Sequence, residues 1–199
     1  MTTGTEAAEP ESNDFRARLL AALEASIIEV GYQKTTVADI VRRAHTSRRT
    51  FYEHFTSRDD CFVALLTQAN GRQVERVAAS VDPQVPWRQQ VRQAIEAWIA
   101  SGDAYPELML SWIRDVPTLG AVAHRLRRDT LANFIVMAQS LSDTEEFRAA
   151  GIKISRARVI MLLGGLRELT AITIENGGRM ADITEEAVEA ALVMLEPRA

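Results

Sequence analysis

The chain has 199 residues, of which 47% are hydrophobic and 25% are charged, with a formal net charge of −4 and a single cysteine. This is ordinary globular usage. One cysteine excludes an internal disulfide, and no apolar run approaches the roughly 20 residues that a membrane span needs. Proline and glycine are sparse, and no useful run of alternating polar and apolar residues is present. We therefore expect a soluble, cytoplasmic, all-α protein with no membrane partner.

The chain begins with a polar, acidic segment. Residues 1–13 lack the basic start and apolar stretch of a signal peptide, and we expect them to form a disordered tail. From about Asp14 to Val30, apolar residues recur at spacings of three and four, which predicts an amphipathic helix. Gly31 supplies its C-terminal stop.

Two short helices with about three residues between them follow. Thr36 and Asp39 form a capping box that begins the first helix. Ser47 begins the second, which runs to about Glu53 and carries paired arginines in its first turn. This is the layout of a helix-turn-helix whose second helix enters the major groove of DNA. Residues 34–58 hold six basic and two acidic side chains, so they are locally +4 in an acidic chain, as expected of a phosphate-binding surface.

The rest of the chain predicts six more helices, which makes about nine in all. A second capping box at Ser57 to Asp60 opens a helix that reaches about Ala79, and the proline-containing segment 81–86 breaks the pattern. We expect a helix-turn-helix domain over residues 14–60 and a larger body over residues 61–199. The remaining helices are predicted at about Trp87–Ser101, Pro106–Arg114, Thr118–Leu141, Ile152–Glu175 and from Thr184 to before Pro197, with a polar loop at Ser142–Gly151.

Residues 31–41 and 47–59 closely resemble the DNA-binding head of TetR-type transcriptional repressors. The motif covers about a quarter of the chain, and the body matches the family mainly in length and helix count. The resemblance implies a homodimer that binds a palindromic operator in double-stranded DNA and responds to a small molecule. The positions that carry it are Gly31, Thr35, Thr36, Ile40, Ala44, Ser47, Thr50, Tyr52, His54 and Phe55.

We expect the DNA contacts to come from the two short helices and their flanks. An arginine in the first turn of the second helix can read guanine through two parallel hydrogen bonds. For Arg48 and Arg49, the alternative is that one or both contact only phosphate. The resemblance assigns a contact with the DNA backbone to Thr36, which is also a helix cap. Arg58 stands where the family usually has lysine and keeps the phosphate-binding charge. The full set is Lys34, Thr36, His45, Ser47, Arg48, Arg49, Thr50, Tyr52, His54 and Arg58.

The turn departs from the family pattern. It reads Ala44-His45-Thr46-Ser47, where the family usually has Ala-Gly-Val-Ser. Histidine is among the residues that tolerate a positive φ, so His45 keeps the turn possible. A simple turn role is favoured over a contact with the DNA backbone. The Arg48–Arg49 pair is not fixed by the family pattern, so the operator sequence does not follow from the resemblance.

The resemblance also implies that the body holds a small molecule. Aromatic and methionine side chains on the fifth to seventh helices can form adaptable apolar walls, although core packing accounts for each of them taken singly. The scarcity of polar neighbours favours a lipophilic effector. The candidates for the pocket are Trp98, Tyr105, Met109, Trp112, Phe134 and Met137.

The last two helices are candidates for the dimer interface. Two such helices from each subunit can build a four-helix contact, and a glycine permits close approach of helices. Packing within one chain is the alternative. The interface candidates are Ile160, Leu163, Gly164, Leu166, Val188, Leu192 and Leu195.

No set of residues suggests catalysis. The histidines lack metal-ligand spacing, and no glycine loop for phosphate or nucleophile elbow is present, so we expect no metal, no cofactor and no enzyme. Cys61 lies beside two aspartates and is interpreted as a buried structural cysteine. The leading hypothesis is a homodimeric repressor that a lipophilic molecule releases from its operator. The alternatives are a helical small-molecule-binding protein that reads no operator and, last, an enzyme using the body cavity.

Overall fold

The computed structural model describes residues 8–196, with side chains from residue 14, and over these residues the chain forms ten α-helices, two single-turn 3-10 helices and no strand. The all-α prediction is confirmed. The chain divides into two compact units, Met1–Gln68 and Ala69–Ala199, which we call the head and the body. The division falls inside the fourth helix, whereas the sequence pattern suggested one at residue 60.

The head contains α1 (Ala8–Val30), α2 (Val37–Arg43), α3 (Arg48–His54) and the first half of α4 (Arg58–Ala79). The first helix begins six residues before the predicted start, so residues 8–13 are helical and not a disordered tail. Pro10 does not prevent this, because proline is tolerated in the first turn of a helix. The rest of the predicted tail, residues 1–7, lies outside the described residues.

Apolar side chains from the helices of the head form its core. The predicted stripe of α1 is buried as far as Ile27, but Val30 is exposed because the helix ends there. Phe51 of α3 and Phe55 just after it are buried. Burying a large apolar side chain contributes roughly 1.5–3 kcal/mol, so these residues fix the position of α3. The other large members of the core are Leu19, Leu23, Tyr32, Ile40, Phe62, Leu65 and Leu66.

The body differs from the prediction in two places. The expected polar loop contains a short helix anchored by Phe147, whose side chain is buried. The helix expected from Thr118 starts after Gly120, because the φ of 62° at this glycine is not helical. The elements are α5 (Trp87–Asp103), α6 (Pro106–Arg114), a 3-10 turn (Val116–Leu119), α7 (Ala121–Leu141), α8 (Glu145–Ala149), α9 (Arg156–Glu175), a second 3-10 turn (Met180–Ile183) and α10 (Thr184–Leu195).

Helix α5 packs against α10 and the second 3-10 turn. Gly102 permits this approach, because a Cβ at that position would overlap Met180 Sδ. Asp103 Oδ1 accepts a hydrogen bond from Met180 N at 2.9 Å and fixes the same junction. None of the described helices combines the length and apolar character needed to cross a membrane.

Two arginines at the surface, Arg92 and Arg114, join helices of the body. Arg92 donates to both carboxylate oxygens of Glu185, at 2.7 and 2.9 Å, and links α5 to α10. Arg114 donates to Glu168 and to Glu175, and links α6 to α9. The hydrogen bonds to arginine hold the pKa of Glu175 and of Glu185 below the ordinary glutamate value. Exposed pairs of this kind contribute little stability.

Candidate nucleic-acid interface and ligand cavity

Both short helices of the head begin at the predicted caps. Thr36 Oγ1 accepts from Asp39 N at 3.2 Å, and Asp39 Oδ2 accepts from Thr36 N at 3.0 Å, so the capping box is confirmed. Ser47 Oγ accepts from Thr50 N at 3.0 Å. Each cap satisfies a backbone N–H that has no partner within its helix.

His45 occupies the turn with a φ of 49°. Its N–H donates to Arg42 O at 3.3 Å, and Thr46 N donates to Val41 O at 3.0 Å, which together form a Schellman motif at the end of α2. Histidine therefore fills the left-handed position that glycine usually takes, as the sequence predicted. Arg18 of α1 also donates to the carbonyls of Ala44 and His45. Its role was missed, because nothing local marks a surface arginine as the anchor of a turn 26 residues away.

The start of α3 presents exposed polar side chains. The Arg48 side chain is exposed and makes no hydrogen bond or ion pair with the described residues, and the Arg49 side chain is 90% exposed. Arg49 Nε donates to Glu53 Oε1 at 3.1 Å, a pair that contributes little and is easily exchanged for another anion. Tyr52, one helical turn after Arg48 and 58% exposed, follows it on the same face.

The other predicted DNA contacts differ in exposure. Lys34, Thr36, His45 and Ser47 are exposed. Thr50 and His54 are half-buried, so only part of each side chain is open to a partner. The structure contains no nucleic acid, and all of these contacts stay predictions.

Arg58 has a structural role that the sequence did not reveal. Its Nη1 donates to Thr35 O at 2.8 Å, and its guanidinium lies 4.3 Å from the centroid of the Tyr32 ring. The Tyr32 hydroxyl donates to Asp59 Oδ1 at 2.5 Å, and burial is the main cause of its raised pKa. Arg58 thus ties the start of α4 to the segment before α2. A phosphate contact by this guanidinium would have to be shared with these bonds.

Cys61 is fully buried in the head. Burial, assisted by the charge of Asp60, raises the pKa of its thiol to about 12. The group is therefore a neutral thiol at neutral pH, in agreement with the structural role predicted for it.

The body contains a cavity of about 110 Å³. Of the predicted pocket residues, Trp98, Phe134 and Met137 line it. Tyr105, Met109 and Trp112 do not line this cavity, and their part in a ligand site stays a prediction. The rest of its wall comes from α4, α5, the α7–α8 region, α9 and α10, and includes Val77, Val91, Ala94, Ile95, Leu141, Phe147, Ile154, Val159, Leu162, Leu163, Leu166, Met194 and Leu195.

The position of α6 explains the three residues that miss the cavity. This helix packs mainly on α9. Trp112 is buried there beneath the Arg167 guanidinium, which lies 5.6 Å from its ring centroid. The Met109 side chain lies close to Gly102, and Tyr105 is exposed just before the helix begins.

Three polar side chains, Gln90, Ser142 and Arg158, also line the cavity. Gln90 is 2% exposed, and its Nε2 donates to Val85 O at 2.7 Å and to Pro83 O at 3.3 Å. Its Oε1 is buried and accepts no hydrogen bond from any described residue. A glutamine near the start of an amphipathic helix is typical of a solvated face, so no sequence signal distinguished Gln90.

The predicted dimer residues fall into two groups. Leu166, Val188 and Leu195 belong to the buried core of the body, which favours packing within the chain over contact with a partner at these three positions. They fill the inward stripe that α9 and α10 need in order to pack on the body. Leu163 and Leu192 are half-buried, whereas Ile160 and Gly164 are exposed.

A cluster of exposed apolar residues and glycines remains on α9 and α10, with the ion-paired Glu168 on the same side of α9. It consists of Ile160, Met161, Gly164, Gly165 and Ile172 on α9 and Val193 on α10, and we call it the outer face. A Cβ at either glycine would meet no atom within 4 Å. Packing inside one chain therefore does not require glycine at these positions.

Comparison with known proteins identifies relatives of the head and of the whole fold. Residues 19–65 match a family model described as bacterial regulatory proteins of the tetR family. No curated protein sequence is significantly similar to this chain. Several solved structures, however, share its fold over nearly the whole chain.

Three of these structures illustrate the likeness. The transcriptional regulator FadR from Bacillus subtilis, solved with stearoyl-CoA, has a TM-score of 0.76 and 15% identity over 90% of this chain and 99% of its own. FadR from Bacillus halodurans, a fatty acid degradation regulator, has a TM-score of 0.75 and 14% identity over 92% and 99%. The reduced form of NemR from E. coli has a TM-score of 0.70 and 14% identity over 93% and 100%. At these identities the likeness establishes the fold.

Proposed function

We propose that this chain, a TetR-family transcriptional regulator with a helix-turn-helix head, is a homodimeric repressor that leaves its operator when a lipophilic molecule fills the body cavity. The observation that carries the proposal is the exposed first turn of α3. Its position is fixed by the N-caps at Thr36 and Ser47 and by the turn at His45. Such a regulator acts in the cytoplasm, on double-stranded DNA.

The geometry of α3 supports sequence reading by Arg48 and Arg49. In a helix-turn-helix, the residues at the start of the second helix meet the base edges. A guanidinium there can bond two guanine atoms at once, and each such pair contributes about 1–3 kcal/mol of discrimination. Tyr52 and Thr50 follow on the same short helix and are proposed to contact phosphates, which fix the register.

The composition of the cavity wall supports a lipophilic effector. At about 110 Å³ the cavity is smaller than the engineered cavity of roughly 150 Å³ that binds benzene. A longer molecule must therefore enlarge the cavity. A ligand that binds the enlarged form more tightly shifts the population toward it, and release from DNA follows if that form binds the operator less well. The Bacillus subtilis FadR structure contains stearoyl-CoA, which makes a fatty acyl group one candidate.

The outer face supports the homodimer. Its isolated apolar residues would gain from burial, and Gly164 and Gly165 cost helix stability without serving contacts inside the chain. Close approach of a second copy of the same helix accounts for both glycines. A two-fold pair also brings two heads to half-sites about one helical turn apart.

The test is binding of the purified protein to duplexes from the DNA that flanks its own gene, followed by fluorescence anisotropy. We expect Arg48→Ala to weaken binding to the preferred duplex by at least about tenfold. The matched control is Arg128→Ala, which removes an exposed arginine of the body and should leave binding unchanged. Equal binding by wild type and Arg48→Ala, with no preference among duplexes, would contradict the proposal and favour a small-molecule-binding protein that reads no operator.

A further inference from the structure

The two polar atoms of the Gln90 side chain differ in hydrogen bonding. Its Nε2 is satisfied by the carbonyls of Pro83 and Val85, in the segment between α4 and α5. Its Oε1 has no protein partner, although the side chain is almost fully buried and lines the cavity. An unsatisfied buried acceptor costs about 1–3 kcal/mol, so its presence in a folded protein needs a reason.

Rotating the amide does not remove the problem. Exchanging nitrogen and oxygen would place Oε1 against two carbonyl oxygens and leave Nε2 without an acceptor. The hydrogen bonds of the 83–85 segment therefore fix the orientation of the amide. They hold one acceptor in a wall that is otherwise almost entirely apolar.

The other polar groups at the wall do not satisfy it. The Ser142 hydroxyl donates to Gln139 O at 2.9 Å, so its proton is already used. Arg158 lines the cavity but is not bonded to Gln90. No described side chain supplies a donor to this acceptor, and a donor carried by the occupant of the cavity would satisfy it.

We infer that the effector is a lipophile bearing a hydroxyl or N–H group, and that Gln90 Oε1 accepts a hydrogen bond from this donor. The inference rests on the proposed function, because it concerns the ligand of the same cavity. Apolar area gives such a molecule its affinity, whereas Gln90 selects it over an analogue without the donor. Sites built to bond a donor reject analogues that lack it, because the acceptor is then left unpaired.

Three small probes test this selection by isothermal titration calorimetry: 4-methylphenol, which has the donor, 1,4-dimethylbenzene, which matches its shape without the donor, and 4-methylanisole, which keeps the oxygen but not the proton. The variants are Gln90→Met, which removes the acceptor, and Gln93→Met as the control. Gln93 lies on the same helix and accepts from Asp82 N at 2.9 Å, but it does not line the cavity.

We expect the affinity for 4-methylphenol relative to 1,4-dimethylbenzene to fall by about tenfold in Gln90→Met and to stay at the wild-type value in Gln93→Met. Wild type alone supplies a second readout that does not depend on the folding of a variant. It should bind 4-methylphenol more tightly than 4-methylanisole, although the added methyl group would favour the ether on apolar area alone.

Two results would overturn the inference in different ways. If the ratio is the same in all three proteins, or wild type prefers the ether, Gln90 does not select a donor, while the cavity remains a ligand site. If wild type binds none of the probes at millimolar concentration, the cavity does not accept a ligand of this size and the effector part of the proposed function fails with it.

Discussion

The head and the body are specified over different distances in the sequence. In the head, the caps and the turn of the helix-turn-helix are formed by bonds between residues three to five positions apart, as in Thr36 with Asp39 and Val41 with Thr46. Arg18 and Arg58 add bonds to this region from more than 20 positions away. In the body, the surface bonds that connect helices reach much further, such as Arg92 to Glu185 across 93 positions. The helix-turn-helix of the head is therefore shaped mainly by residues that are close together in the sequence, and it presents polar side chains. The helices of the body are joined by residues that are far apart in the sequence, and they enclose an apolar cavity.

The largest expected effect on stability comes from removing a buried aromatic ring, either in the packed core of the head or at the cavity of the body. Phe51→Ala in the head and Phe134→Ala in the body each remove a buried ring, and each should lower the free energy of unfolding by about 3–5 kcal/mol. Only Phe134 lines the cavity. Adding 1,4-dimethylbenzene should restore more of the loss in Phe134→Ala, whose void joins the existing cavity, than in Phe51→Ala, as measured by urea unfolding. Equal restoration in both variants would remove the distinction.

The outer face gives the next largest effect. Ile172→Asp should raise the dimer dissociation constant by at least tenfold, since it buries a charge at the proposed interface. The double variant Gly164→Ala and Gly165→Ala should weaken the dimer while stabilising the isolated helix by about 1 kcal/mol per site. Sedimentation equilibrium measures both. As a control, Val136→Asp alters an exposed residue of α7 outside this face. An unchanged dissociation constant in the outer-face variants would place the interface elsewhere.

A smaller effect tests the locked turn of the head. His45→Gly should raise the free energy of unfolding by roughly 0.5–1 kcal/mol, because glycine adopts a positive φ without a steric penalty. His54→Gly is the control, since it places glycine in helical backbone and should destabilise the head. Thermal unfolding followed by circular dichroism distinguishes them. Destabilisation by both changes would show that the His45 side chain does more than fill the turn.

The smallest effect concerns the long-range bonds of the body. The pKa of Glu175 is lowered by its hydrogen bond to Arg114, so this carboxylate stabilises the fold above its unfolded-state pKa of about 4.5. The contribution is lost as the pH falls through the lower folded-state pKa. Glu175→Gln should therefore lower the melting temperature slightly at pH 7 and not at pH 3. Glu189→Gln, an exposed change on α10, serves as the control, and a difference that persists at pH 3 would argue against the ionic cause.

The contrast between the units also explains what the sequence could predict. The caps at Thr36 and Ser47 and the turn at His45 follow from neighbouring residues, so local rules are sufficient for them. Arg18 and Arg58 were not assigned their structural roles, because their carbonyl partners lie more than 20 positions away.

In the body, α9 and α10 carry apolar residues on more than one side. Their periodicity therefore predicts helices but not which apolar side packs inside the chain. Leu166 and Val188 were therefore assigned to an interface although they fill the core. The short helix α8 was missed because its one buried anchor, Phe147, lies in a polar stretch. Gln90 carried no signal, because its significance depends on the cavity around it and on the carbonyls of a loop.

We propose that the first turn of α3 reads a base sequence as part of a two-fold dimer. The most direct measurement is selection of bound duplexes from a random pool by the purified wild-type protein, beside the double variant Arg48→Ala and Arg49→Ala. We predict that wild type enriches a palindromic sequence with half-sites about one helical turn apart, and that the double variant does not. Enrichment of the same sequence by both proteins, or of none by wild type, would contradict the account.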